Sequence, residues 1–182
     1  IEEVSSASRV FSYRMEEVKV PSGVAAPPPH EEARVARYMT HYSDWGHLAT
    51  ISTQQQVIKG LPFGNIFSVS DGPADNTGVK SLYMSCLHLK TKISLTEIIQ
   101  VYDPEDPRCA RLTLTGKMVE VGPEELDFAK EAMFSRHPVM KKWPPGHNWF
   151  FMKLVLQQVW LQDWVGGVSV IPLEEYFEAT PF

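Results

Sequence analysis

The chain has 182 residues, enough for one compact domain that buries most of the apolar surface its unfolded form exposes. Hydrophobic residues make up 43% and charged residues 21%, which excludes a disordered or collagen-like chain. With 17 Lys plus Arg against 22 Asp plus Glu, the net charge is −5, so the basic field that neutralises phosphates is missing and nucleic-acid binding is not expected.

Residues 1–30 read as an extended N-terminal arm, Ser-rich at first and closed by Pro21, Gly23 and Pro27-Pro28-Pro29, whose fixed φ stops any helix. The chain opens at Ile1 without a basic, apolar leader, as expected where a targeting peptide has been removed or was never included. Residues 31–182 are expected to form one domain. His30-Glu31-Glu32 opens a helix with acids in its first turn and Val35, Ala36 and Met39 on one face. Arg34 and Arg37 are expected to face solvent.

Residues 46–53 have the β-branched content and alternation of a half-buried strand, and residues 60–64 form a break before a second run at 65–70. Asp71-Gly72-Pro73 ends that run as a turn. Further strands are predicted at 79–84 and around 93–96. The clearest alternation spans 108–121, where Ala110, Leu112, Leu114, Gly116 and Met118 share one face. Pro123-Glu124-Glu125 then starts a helix with Leu126, Ala129 and Met133 as its buried stripe. A long aromatic strand region runs over 149–164 and is ended by Gly166-Gly167, and residues 172–177 read as a short C-terminal helix. Even the aromatic run is broken by Lys153, Gln157, Gln158, Gln162 and Asp163, so no bilayer-spanning stretch and no membrane insertion are expected. The pattern is mainly β with flanking α-helices, an antiparallel barrel or sandwich.

Cys86 and Cys109 are too few for a disulfide scaffold and form no C-x-x-C pair, so they read as two buried thiols or as one bridge. His41, Asp44 and His47 are the densest metal-ligand cluster, but their spacing does not place three ligands on one face and no metal is expected. Ser70 and Asp71 could be completed to a triad by any of six histidines, yet no G-x-S-x-G elbow exposes a nucleophile. Glu124-Glu125 and Glu174-Glu175 lie beside prolines at helix starts, where capping is the simpler role. Neither G-x-G-x-x-G nor a Walker loop is present. Alternation across the aromatic strand places Phe150, Met152, Leu154 and Leu156 on one face and Phe151, Val155, Val159 and Leu161 on the other. Both faces are apolar, which suits a sheet centre or a subunit contact.

Residues 32–38 (EARVARY), 43–46 (SDWG), 48–53 (LATIST) and 67–73 (FSVSDGP) together resemble the CREG family, the cellular repressors of adenovirus-stimulated genes. Residues 103–109 (DPEDPRC), 112–116 (LTLTG), 134–138 (FSRHP), 149–153 (WFFMK) and 174–177 (EEYF) continue the likeness, nearest to the family's second, brain-associated branch. The resemblance implies a split β-barrel like that of the FMN-binding pyridoxamine-phosphate-oxidase superfamily, assembled as a homodimer. It implies no enzymatic activity and no cofactor, with FMN in the subunit crevice and a flavin-dependent oxidoreductase as the alternative. Crevice candidates are Thr50, Ser52, Thr53, Pro62, Phe63 and Asn65, and dimer-interface candidates are Trp149, Phe151 and Val155. The family is secreted or lysosomal, glycosylated and tied to cell growth and differentiation, which implies passage through the endoplasmic reticulum and Golgi. The partners it implies are a second copy and the cation-independent mannose-phosphate receptor. This chain departs from the family pattern in a shortened stretch at 86–102, which removes a phosphate-holding helix and a usual cysteine partner of Cys109. Its Asn65, Asn76 and Asn148 also form no N-x-Ser/Thr acceptor.

Overall fold

A computed structural model describes residues 29–53, 57–73, 81–86, 92–98, 109–144, 149–163 and 167–181. Residues 1–28 of the N-terminal arm, most of the shortened stretch and the side chain of Cys86, hence the Cys86–Cys109 pairing, lie outside the described residues.

The elements run α1 (Pro29–Tyr42), β1 (Trp45–Ile51), β2 (Pro62–Ser70), β3 (Leu82–Cys86), β4 (Lys92–Ile98), β5 (Arg111–Glu120), α2 (Leu126–Arg136), a 3-10 turn (Pro138–Lys142), β6 (Phe150–Asp163), β7 (Gly167–Ile171) and α3 (Leu173–Glu178). The fold is mainly β with three helices, and no described helix is long and apolar enough to cross a membrane. All strand pairs are antiparallel, in the order β3-β2-β1-β4-β5-β6-β7. A further β3–β6 ladder curls the sheet into a barrel. The fourteen-residue β6 makes this closure. One edge pairs with β5 along nearly its whole length, while the other is shared by β3, opposite residues 150–154, and β7, opposite residues 159–163.

Alternation produces the core. In β1 and β5 every second side chain turns inward, Leu48, Leu112 and Leu114 among them, all at most 1% exposed. They meet Val69, Met84, Leu154, Val159 and Leu161 inside the barrel. Truncating one such leucine to alanine costs about 2–5 kcal/mol, because the lost transfer energy adds to an unfilled cavity. Ala33, Ala36 and Met39 of α1 and Tyr176 of α3 complete this core. A second core lies under α2, whose Ala129, Ala132 and Met133 cover Tyr83, Val121 and Phe151.

Four sequence expectations change. The alternation in β6 does not keep one phase: a register shift at Thr115/Gly116 pairs Thr115 with Gln158 and Gly116 with Leu156, leaving Gln157 as an extra residue. Met152 and Leu154 before the bulge and Val159 and Leu161 after it therefore all point into the barrel. Gly116 makes the bulge feasible, since a Cβ there would lie 2.2 Å from the Val155 carbonyl oxygen. Gly167 opens a seventh strand instead of ending the sixth, and Pro123 precedes a turn, with α2 beginning at Leu126. Finally, Arg37 does not face solvent and is only 3% exposed.

Candidate functional site

The bend after β2 carries the densest polar chemistry among the described residues. Gly72 takes φ +134°, a conformation open to glycine, and turns Asp71 inward until it is 1% exposed. Arg136 of α2 donates from Nη2 to Asp71 Oδ1 at 2.7 Å. His41 Nδ1 lies 3.1 Å from both carboxylate oxygens, and Arg37 Nη1 lies 3.6 Å from Oδ2. Arg136 also donates from Nε to the Gly72 carbonyl at 2.8 Å and from Nη1 to the His41 carbonyl. The ring of His137 bonds the Val69 carbonyl through Nε2 at 2.8 Å. On its other side Arg37 stacks over the Tyr176 ring at 5.3 Å, and the Tyr176 hydroxyl lies 2.9 Å from Thr40 Oγ1. One carboxylate thus ties α1 and α2 to the end of β2, and α3 joins through Tyr176.

The triad on paper is half realised. His41 does meet Asp71, but the Ser70 hydroxyl is fully buried and directed at the Ala132 and Gly72 carbonyls, at 2.8 and 2.9 Å. A hydroxyl with its proton committed to backbone, sealed from solvent, offers no nucleophile to a substrate. The His41, Asp44 and His47 cluster is split: His41 joins the buried hub, while exposed His47 lies edge-on to Trp45 at 5.6 Å. Among the described residues no three His, Cys, Asp or Glu side chains converge as a metal site.

Glu125 is not a helix cap. It stands at the N-cap position of α2 with no capping bond from its side chain. Its carboxylate instead accepts the Tyr83 hydroxyl at 2.6 Å and an ion-paired hydrogen bond from Lys153. Those two donors hold the Glu125 carboxyl below its ordinary range, and burial, with the adjacent carboxylate, pushes the Tyr83 phenol up. Tyr83 and Lys153 face each other in the β3–β6 register, so this trio fastens α2 to the barrel closure.

The crevice candidates gather at the end of the β1–β2 ladder, where Thr50 pairs with Phe63 and Leu48 with Asn65. Thr50 is buried, Ser52 half-buried, and Thr53, Pro62, Phe63 and Asn65 exposed. Residues 50–53 and 62–66 include no cation for a flavin phosphate, while exposed Lys59 stands in the turn that joins them. The interface candidates separate as well. Trp149 stacks on Trp143 with ring centroids 4.2 Å apart. Phe151 turns into the second core, edge-on to Phe134 at 5.9 Å and 8% exposed, so its apolar neighbour is α2 of the same chain. Val155 is 47% exposed.

What the sequence reading missed is the outer face of the sheet. Ladder registers align Ile66, His47, Thr96, Thr113, Trp160 and Val170 in one row across six strands, and Gly64, Ala49, Ser94, Thr115 and Gln158 in the next. Neither row contains a charged residue. Ile66 and Val170 are 58% and 61% exposed. Helix periodicity could also have found the hub: Ala33, Ala36, Arg37, Thr40 and His41 follow the i, i+3, i+4, i+7, i+8 stripe that a helix buries.

A family model described as "CREG, beta-barrel" matches residues 27–178. Mouse CREG2 is 49% identical over 97% of this chain, and human CREG2 47% over 94%. The chain spans 65% and 64% of the length of these two relatives. Chicken CREG1 is 40% identical over 85% of the chain and 90% of that protein. Among solved structures, a heme binding protein from Mycobacterium smegmatis superposes with TM-score 0.66 at 19% identity, over 86% of this chain and 62% of that one. A Clostridium acetobutylicum protein of the pyridoxinephosphate oxidase family superposes with TM-score 0.55 at 12% identity, over 81% and 98%. The curled barrel is thus the one shared by pyridoxamine-phosphate-oxidase-like proteins, and by sequence the chain belongs to the CREG β-barrel family.

Proposed function

We propose that this chain is a non-enzymatic CREG-type protein that acts through protein contacts, as a homodimer, on the secretory and lysosomal route, in the control of cell growth and differentiation. The observation that supports this reading is the outer sheet face, two adjacent rows without a charge and with exposed Ile66 and Val170 at either end. Charge depletion with aromatic and aliphatic content is the composition of an interface centre. Receptor engagement, with the mannose-phosphate receptor as the partner that family membership suggests, would proceed through protein surface, because this sequence has no N-glycan acceptor motif.

Light scattering at micromolar concentration is the direct test. The expected mass is twice the 20.6 kDa chain mass, falling to one chain in Ile66→Asp or Val170→Asp with the circular dichroism spectrum retained. A wild-type monomer would overturn the dimer.

A further inference from the structure

Among the described residues a groove opens where β2 parts from β3. These strands pair only at Val69 with Met84 and at Ser70 with Tyr83, so the earlier residues of β2 diverge from Ser85 and leave a groove of about 320 Å³. Its aromatic wall is the Trp143–Trp149 stack, tilted by 31°, with Met140 beside it. The facing side carries Asn65, Ser68 and Ser85.

Three properties narrow the ligand. Among the described residues the lining contains no charged side chain, which leaves a phosphate or carboxylate without a counter-charge there. Among the described residues the Ser68 and Ser85 hydroxyls have no hydrogen-bond partner, and Asn65 engages only its Oδ1, with the Ile66 N–H, leaving the amide donors to the groove. A purely apolar ligand would desolvate these groups without satisfying them. The volume sits at the small end of ligand sites, about 300–1,000 Å³. A neutral ring with C–H groups on one face and hydroxyls at its rim meets all three conditions: the C–H face packs on an indole, and the hydroxyls pair with serine and carboxamide.

We propose that this groove binds a neutral saccharide, stacked on the Trp143–Trp149 wall and hydrogen-bonded by Ser68, Ser85 and the Asn65 amide. The groove shares Asn65 with the crevice candidates, Trp149 with the interface candidates and Ile66 with the outer-face row, and sugar binding is read separately from the dimer mass. It also accounts for a tryptophan pair placed beside unpaired hydroxyls on a chain that carries no glycan acceptor of its own.

Mannose, galactose, N-acetylglucosamine and cellobiose at millimolar concentration, titrated against the intact chain, test it by tryptophan fluorescence and saturation-transfer NMR. At least one should bind saturably, with affinity about tenfold weaker in Ser68→Ala/Ser85→Ala, since two neutral hydrogen bonds are removed without creating a core cavity. Ser135→Ala, whose hydroxyl bonds the Ala132 carbonyl at 3.2 Å, serves as the control and should bind as wild type. No saturable response to any of the four sugars would overturn the proposal. So would equal affinity in the double variant, or tighter binding of mannose 6-phosphate than of mannose.

Discussion

Beneath the helices, Asp71, Arg37 and His41 are at most 3% exposed, whereas on the outer sheet face Ile66 and Val170 are more than half exposed. A monomer standing alone would ordinarily favour the reverse, with charges in water and aliphatic side chains inside. The buried charges are affordable because each has a partner: the carboxylate faces three basic groups, and the Arg136 guanidinium also bonds two backbone carbonyls. Among the described residues the exposed aliphatics have no such compensation. The contrast separates a polar centre whose carboxylate is partnered by three basic side chains from an exposed apolar face, and this is why the first is structural and the second is proposed as a contact surface.

The contrast breaks most severely at the hub. Asp71→Ala leaves two guanidinium groups facing each other without a counter-charge, and should cost about 3–5 kcal/mol, the usual penalty for removing one partner of a buried ion pair. For a chain of this size that corresponds to a melting temperature lower by about 10 °C, measurable by calorimetry. An unchanged melting temperature would show that the carboxylate is not the centre of the network.

Gly116→Ala probes the barrel itself. A methyl group 2.2 Å from the Val155 carbonyl oxygen must push β6 away from β5 and should destabilise by about 1–3 kcal/mol in denaturant unfolding. Tyr83→Phe keeps the ring under Phe128 and removes only the hydroxyl bonded to Glu125, with an expected loss of about 1 kcal/mol.

Acid titration sharpens the same region. The Glu125 carboxyl is held below its unfolded value of 4.5, so its contribution is complete above that pH and is lost as pH falls through the folded-state value. Lys153→Met should therefore flatten the fall in stability below about pH 4.5, compared by urea unfolding at pH 7 and pH 3. Smallest in stability is Ile66→Asp, expected to shift the monomer's unfolding midpoint by no more than about 0.5 kcal/mol, as for a surface position, while abolishing the proposed dimer.

Much of the barrel was legible from local pattern. Residues 111–118 alternate because one face of β5 meets the core and the other does not, and that period survives in the sequence. Strand β7 was not legible because its five residues open on the second glycine of Gly166-Gly167, and its partner is known only once β6 is placed. The β6 faces were misassigned for a related reason: the bulge is a property of the β5–β6 pair, so β6 alone carries no mark of the phase change. Arg37 was misread by its charge, although its place on the stripe with Ala33 and Ala36 predicted burial. Phe151 was offered as an interface candidate on an apolar face, and its cover is α2, an element that precedes it in the chain.

By itself the sequence determined the fold class, the family and the absence of a nucleotide loop, because these rest on composition, period and fixed words that need no partner. It also marked Trp149 and Asn65 as residues worth placing. Only the tertiary structure decided which charges meet. Asp71 and Arg136 are separated by 65 residues and Tyr83 and Glu125 by 42, and a hydrogen bond over such distances exists only after the sheet has curled and the helices have docked. The uncharged rows of the outer face are the same kind of fact: each residue is ordinary in its own strand, and antiparallel register alone assembles them into a surface.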